Sequence, residues 1–325
     1  MNKKTKRILA LATVVTLTIL SLINGNFASD SAKKEAEKNV DNYIANFVND
    51  QETTKYIQKN GNSNEIIQKI SVDGEITSVM TNKYNSNSVI NQIKKAKEDP
   101  NVKAILISAN TPGGGVYESV ELYKALLDSG KDVYVSMKNY AASGGYYISM
   151  AAKKIYASDE TVTGSIGVIR SGLSAQKFLN DHGIKNETIR SGSQKAVGGL
   201  TEDLNDETRK IYEEQIKESY DRFVAVIAKG RNMKEEDVRK LADGRTYSGT
   251  QAQKLGLIDK IATEDELIND IAKEKGLANP LVQETRVVKK SSFISNFVKS
   301  ATKALSEQFS EEQATNNLSF SYLAQ

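Results

Sequence analysis

Between residues 66 and 157, apolar strand-like runs alternate with amphipathic helical segments, and this alternation constrains the fold more than any other feature. Residues 102–107 form an apolar run interrupted only by Lys103, which is typical of a strand buried on both faces of a sheet. Further strand-like runs begin near Val133 and Lys154, each after a helical segment. Strands and helices in this order predict parallel pairing with helices outside the sheet, so the expected fold class is α/β.

Small residues mark the points where two of these runs end. The segment 111–115 (Thr-Pro-Gly-Gly-Gly) follows the first run, and Ala142, Ser143, Gly144 and Gly145 follow the second. Ser143 would therefore stand at a sharp strand-to-helix turn with its hydroxyl uncovered. The helix behind it would direct free N–H groups and the positive end of its dipole at the same point, which suits a negatively charged intermediate.

Structural interpretations of both segments are also open. Serine commonly caps a helix N-terminus, and the glycines could simply turn the chain between a strand and a helix. A phosphate site is disfavoured, because 113–115 has neither the P-loop lysine nor the dinucleotide-binding spacing. Two such loops at the ends of successive strands favour a nucleophilic hydroxyl beside an oxyanion hole.

The composition excludes several kinds of site. The 325 residues include no cysteine, which rules out disulfides and thiol chemistry. There is one histidine, His182, whereas metal sites and Ser-His-Asp triads usually depend on histidine. The net charge is +3, and no basic stripe with interleaved aromatic residues is present. We therefore expect no metal, no cofactor and no nucleic-acid partner.

A serine nucleophile needs a proton acceptor. His182 lies in a segment typical of a helix end, with Gly183 as the left-handed cap, and is interpreted as structural. A neutral lysine can act as the base if burial lowers its pKa to about 7–8. Lys195 is the candidate, because small residues and no other charge surround it in 191–199.

Several motifs in one order resemble those of the signal peptide peptidase A family, over about residues 66–275. They are Pro112-Gly113-Gly114-Gly115, Ala142-Ser143-Gly144-Gly145-Tyr146-Tyr147, Thr163-Gly164-Ser165-Ile166-Gly167-Val168, Ser191-Gly192 with Lys195, Gly244-Arg245-Thr246-Tyr247-Ser248-Gly249 and Gly256-Leu257-Ile258-Asp259. The short chain resembles the single-domain form of Gram-positive bacteria. The resemblance implies a ClpP/crotonase-like fold, a Ser/Lys dyad, and a membrane-anchored homo-oligomer, an octamer, that degrades released signal peptides.

The resemblance also implies roles for individual residues. Ser143 would be the nucleophile and Lys195 the general base. The N–H of Gly144, with one from Gly113 or Gly114, would form the oxyanion hole. Ser165 would hydrogen-bond the lysine and orient it. Two departures from the family pattern concern Thr111, where serine is usual, and the Lys195 loop, which lacks the expected aromatic residue and proline.

The chain is predicted to divide into five segments. A basic start at 1–7 and an uncharged run at 8–23 predict a transmembrane anchor or a cleaved signal sequence. The anchor is favoured, and lysines retained on the cytoplasmic side would leave the remainder outside the cytoplasm, attached to the cell membrane by one span. A helical stalk at 24–65, a protease domain at 66–277 and a partly disordered tail at 278–325 complete the division.

Two other functions remain open from the sequence. A crotonase-like enzyme acting on acyl-CoA would use the glycine loop without a serine nucleophile. A non-catalytic membrane scaffold would use the same loops only as turns. For the protease, the expected substrates are apolar peptides, and the uncharged end at 320–325 is one that the enzyme could hold or trim.

Overall fold

The computed structural model describes residues 52–78, 86–195 and 197–288, and residues Lys55–Thr285 form one compact unit. No helix in these three ranges is long and apolar enough to cross a bilayer. The predicted anchor at 8–23 and the residues from 289 onward lie outside them. The predicted division into five segments therefore stays a prediction.

A largely parallel sheet forms the centre of the described residues. Its strands are β1 (Glu52–Lys59), β2 (Asn62–Asp73), β3 (Val102–Thr111), β4 (Asp132–Ala142), β5 (Lys154–Ala157), β6 (Val162–Gly164), β7 (Thr246–Ser248), β8 (Lys260–Ile261) and β9 (Pro280–Val288). The strand order is β1-β9-β2-β3-β4-β5-β8. The short strand β6 pairs with the end of β4 and, antiparallel, with β7.

Helices cover both faces of this sheet. They are α1 (Ser86–Glu98), α2 (Val116–Asp128), α3 (Gly144–Ser149), α4 (Gln176–Asp181), α5 (Asp206–Arg231), α6 (Glu235–Leu241), α7 (Gly249–Lys254) and α8 (Glu264–Lys275). In β3, Ile105 and Ile107 belong to the core formed with α1, α2, α3 and α5, whereas Ala104 and Leu106 belong to the core formed with α8. The predicted α/β class, with a strand buried on both faces, is confirmed.

The sheet extends further than the sequence predicted. Strand β1 lies where a helical stalk was expected, and β2 begins at Asn62, four residues before the expected domain start. Strand β9 lies in the segment predicted as a tail and pairs in parallel with β2. Pairing with β2 satisfies backbone groups that an isolated segment would expose to water.

The register of the central strands brings the two small-residue segments together. Thr111 at the end of β3 pairs with Ala141 at the end of β4, so the chain leaves both strands at the same edge. Ala142 in turn pairs with Gly164 in β6. The carboxyl edge of a parallel sheet is where α/β proteins usually bind ligands.

A buried carboxylate fixes α8 to the sheet. The Oε1 atom of Glu264 lies 2.5 Å from Nζ of Lys69 in β2, and its Oε2 atom lies 2.8 Å from Nζ of Lys138 in β4. Burial by itself would raise the pKa of Glu264, but the hydrogen bonds from Lys138 and Lys69 outweigh it and lower the pKa to about 2. Ionised Glu264 therefore stabilises the folded state.

We expect Glu264→Gln to lower the free energy of unfolding by about 2–3 kcal/mol at pH 7. Because the folded pKa lies below the unfolded one, the wild-type advantage is complete above about pH 4.5 and fades as the pH falls toward 2. Urea denaturation of both proteins at several pH values measures this difference. Glu236→Gln, at an exposed ion pair with Lys234, is the control, and an equal loss for Glu264→Gln at every pH would contradict the account.

Candidate active site

Ser143 connects the end of β4 to α3 in a rare backbone conformation. Its φ is 52° and its ψ is −120°, a combination that a side-chain-bearing residue adopts at a cost of roughly 1–3 kcal/mol. Its N–H donates to the carbonyl oxygen of Gly164 at 2.8 Å. Its side chain makes no capping hydrogen bond. Ser143 is thus a strained, half-buried serine whose hydroxyl does not cap the helix.

Two glycines let the segment after β3 approach Ser143 closely. A Cβ atom on Gly113, whose φ is 101°, would lie 2.7 Å from the Gly144 nitrogen and 2.8 Å from the Ser143 Cβ atom. A Cβ atom on Gly144 would lie 2.3 Å from the Ser119 hydroxyl oxygen. A side chain at either position would have to displace these neighbours, so the two segments pass each other closely.

The N–H groups near Ser143 differ in their availability. The N–H of Gly113 donates to the Thr111 hydroxyl at 3.0 Å, inside its own turn. The backbone N–H of Ile76 donates to the Gly113 carbonyl oxygen, and the Ile76 carbonyl oxygen accepts from the Gly115 N–H. Gly114, between these two glycines, is therefore paired with Ile76 in an isolated parallel bridge. This pairing leaves the N–H of Gly114 directed away from Ile76. Gly114, rather than Gly113, is therefore the better candidate for the second oxyanion donor.

A cleft opens beside Ser143 and Gly114. Its remaining lining residues are Val116, Ser119, Val120, Gly144, Tyr147, Gly167, Val168, Ser219 and Phe223. None of these side chains carries a charge at neutral pH, and burial raises the pKa of the Tyr147 phenol. The cleft therefore suits an uncharged, largely apolar group.

Several of these lining residues were not predicted from the sequence. Phe223 belongs to the apolar stripe of α5, and its ring centroid lies 5.1 Å from that of Tyr147. The stripe identified it as buried but could not distinguish the core from a cleft wall. Ser219, one turn earlier on the same helix, carried no sequence signal for a site.

Ser165 lies close to Ser143 in the structure. It follows Gly164, the acceptor of the Ser143 N–H, and its own N–H donates to the carbonyl oxygen of Arg245 at 2.8 Å. It is half-buried and has a φ of 48°, a second strained serine at the same edge. The structure thus brings together Ser143, Gly144, Gly114 and Ser165.

Lys195 is not part of this group in the single chain. It lies in an exposed turn in which its N–H donates to the carbonyl oxygen of Gly192 at 3.0 Å, and it does not line the cleft. Its ammonium group makes no hydrogen bond or ion pair with the residues that the structure describes. His182 ends α4 as expected, with its Nδ1 atom 2.8 Å from the carbonyl oxygen of Phe178, and is also exposed.

Comparison with known proteins identifies the family. Residues 125–278 match peptidase family S49. Over 293 residues the chain is 38% identical to a protein of Enterococcus faecium that carries the name signal peptide peptidase SppA, covering 87% of this chain and 85% of that protein. The chain belongs to the signal peptide peptidase A family. The family assignment agrees with the observed α/β structure and makes this chain a serine-type protease.

More distant relatives share only part of their length with this chain. Protease 4 of Haemophilus influenzae is 34% identical over 54% of this chain and 29% of its own length. The chloroplastic serine protease SPPA of Arabidopsis thaliana is 34% identical over 58% of this chain and 28% of its own length. This chain thus corresponds to a fraction of these longer family members.

We expect Gly113→Ala to lower kcat/KM by about 10²-fold or more, the scale of losing one oxyanion donor. The added methyl group would displace the Gly144 nitrogen or the Ser143 side chain. Peptide-cleavage kinetics measure the loss, and circular dichroism checks the fold. The matched control is Gly130→Ala, because Gly130 also has a positive φ but has open space around it. Equal activities of the two variants would contradict the proposed packing of Gly113.

Proposed function

We propose that this chain is a membrane-anchored, extracytoplasmic serine endopeptidase that uses a Ser143/Lys195 dyad to degrade released signal peptides and similar apolar peptides. The strained backbone of Ser143 is the observation that carries this proposal. It turns the side chain away from a capping position at the edge where the Gly114 segment passes. The anchor is inferred from 1–23, which lies outside the described residues.

The mechanism follows from the chemistry of these groups. Neutral Lys195 accepts the proton of the Ser143 hydroxyl as its oxygen attacks the peptide carbonyl carbon. The N–H groups of Gly144 and Gly114 donate to the resulting oxyanion, and one such donor contributes about 3–4 kcal/mol to transition-state stability. Protonated Lys195 then gives its proton to the leaving amine. Water releases the acyl group by the same steps, with Ser165 orienting the lysine.

The length of α5 supports a base supplied by a second copy of the chain. Gln194, next to Lys195, bonds to Thr208 in the first turn of α5, whereas Ser219, eleven residues later, lines the cleft. Eleven residues of α-helix span about 16 Å. This is well beyond the reach of the four-carbon side chain of a lysine. We infer that Lys195 serves the Ser143 of a neighbouring copy.

Exposed apolar side chains around Lys195 support the same arrangement. Large apolar residues of the 169–200 segment stand in solvent in the single chain: Ile169, Leu173, Phe178, Ile184, Ile189 and Leu200. Clusters of this kind mark protein-interaction surfaces. A neighbouring copy would cover them and bury Lys195, which is the condition for a neutral amine. A closed ring of identical copies satisfies this head-to-tail contact, and the family resemblance implies eight.

The function is tested by incubating the purified chain with a synthetic signal peptide and with a strongly charged peptide of equal length. We expect mass spectrometry to find cleavage within the apolar part of the signal peptide, and much less cleavage of the charged peptide, because the cleft carries no charge. Cleavage that persists in Ser143→Ala, or no cleavage of either peptide, would contradict the proposal.

A further inference from the structure

The turn that carries Lys195 is held to α5 by the side chain of the preceding residue. The Oε1 atom of Gln194 accepts a hydrogen bond from the Thr208 hydroxyl. Its Nε2 atom donates to Oε2 of Glu207 at 2.5 Å. Both ends of the carboxamide are therefore engaged by consecutive residues in the first turn of α5, which fixes the orientation of the Gln194 side chain.

The α5 end of this contact is itself firmly held. Thr208 is 2% exposed, and its N–H donates to Oδ1 of the helix cap Asn205 at 2.8 Å. A buried hydroxyl that loses its acceptor destabilises the folded state, so the Thr208 hydroxyl favours conformations in which Gln194 stays in place.

Packing contacts also hold the residues that follow Lys195, at Val197 and Gly198. Val197 is 6% exposed, and a Cβ atom on Gly198 would lie 2.7 Å from a methyl carbon of Leu204. Lys195 thus lies between Gln194 and Val197, two residues that are each held by contacts, while its side chain is exposed and has no hydrogen-bond or ion-pair partner among the described residues.

We propose that Gln194 is a positioning residue, which, through the buried Thr208 hydroxyl, sets where Lys195 is presented to the serine it serves. This inference rests on the proposed Ser143/Lys195 dyad. A general base must come within hydrogen-bonding distance of the proton it removes. A misplacement of about 1 Å at a catalytic group can cost about 10²-fold in rate. The Gln194–Thr208 hydrogen bond connects the residue next to Lys195 to α5, so its loss would change where the lysine is presented.

The test compares Thr208→Val with Thr208→Ser. Valine keeps the size and branching of threonine but cannot donate to Gln194, whereas serine keeps the hydroxyl. For Thr208→Val we expect kcat to fall about 10- to 100-fold with KM within about twofold of wild type. Thr208→Ser should retain most of the wild-type kcat. A role confined to folding would instead reduce the amount of active enzyme in both variants.

A second variant keeps the inference testable if Thr208→Val does not fold. Gln194→Ala removes the same hydrogen bond from the partly exposed side and should lower kcat to a similar degree. Its matched control is Gln176→Ala, because Gln176 also holds this region through a side-chain hydrogen bond, to the Asp203 N–H, but away from the Lys195 turn. The control should keep wild-type kcat, and size-exclusion chromatography should give the same assembly for all variants.

The failure of this inference can be distinguished from the failure of the proposed function. If Lys195→Ala is inactive while Gln194→Ala and Thr208→Val keep wild-type kcat, the dyad stands and the positioning role is wrong. If Lys195→Ala keeps wild-type activity, the dyad is wrong and the positioning role is wrong with it. A higher KM with unchanged kcat in these variants would also overturn the positioning role, since positioning of a base acts on kcat.

Discussion

Ser143→Ala is expected to lower kcat/KM for peptide cleavage by about 10⁴- to 10⁶-fold, the range found when a protease loses its nucleophile. Alanine removes the oxygen that attacks the carbonyl carbon, and no other hydroxyl takes its place at the strained turn. The backbone and the N–H donors remain, so substrate binding should change little. Cleavage kinetics, with mass spectrometry after labelling by a serine-directed acylating agent, measure both the rate and the modified residue.

The control for this variant lies on the same short helix. Ser149 is buried in α3, and its hydroxyl donates to the carbonyl oxygen of Gly145 at 2.8 Å, away from the cleft. Ser149→Ala should therefore keep activity within a few-fold of wild type and still be labelled at Ser143. Normal turnover by Ser143→Ala, or labelling at another serine, would contradict the assignment of the nucleophile.

Lys195 is expected to be as essential as the nucleophile, because a serine hydroxyl attacks poorly without a base. Lys195→Ala should lower kcat by about 10⁴-fold. Lys195→Arg should be equally inactive although it keeps a positive charge, since a guanidinium is not deprotonated in proteins. Only an uncharged amine accepts a proton, so wild-type activity should rise with pH. Steady-state kinetics of the three proteins from pH 6 to about pH 10 measure both effects.

The matched control is Lys185→Ala, which removes another exposed lysine from the same region. It should keep the wild-type rate and the wild-type pH profile. Activity of Lys195→Arg close to wild type would mean that the side chain contributes charge rather than accepting a proton. A pH-independent rate would also argue against an amine base.

The centre of the fold could be predicted from the sequence because its signals are local. The apolar run at 102–107 and the glycines around Ser143 each determine their own conformation, and successive strands then pair as parallel neighbours. Strands β1 and β9 could not be predicted in this way. The β1 sequence is largely polar and the β9 sequence mixes apolar and polar residues. They become strands because β9 pairs with β2 and β1 lies beside β9, and the β9–β2 pairing joins distant parts of the chain.

The candidate site likewise contains residues that the sequence predicts and residues that it does not. Ser143, Gly144 and the 113–115 glycines follow from small residues at strand ends, and the structure brings these segments together. The contribution of Phe223 could not be predicted, because an apolar stripe on a helix looks the same whether it lines a core or a cleft. Lys195 follows from its small neighbours and from the family resemblance, and its exposure in the single chain agrees with the proposal that it serves another copy.

The proposal that Ser143 and Lys195 of different copies form one site is tested most directly by combining the two inactive variants, Ser143→Ala and Lys195→Ala, in one assembly. Ser143→Ala and Lys195→Ala chains, carrying different affinity tags, are co-expressed and purified through both tags in succession. If each site takes its serine and its lysine from different copies, about a quarter of the sites in a randomly mixed ring pair two intact residues. We predict that these mixed assemblies regain about that fraction of wild-type activity, while each variant alone stays inactive. Mixed assemblies as inactive as either variant alone would contradict a Ser143/Lys195 site formed between copies.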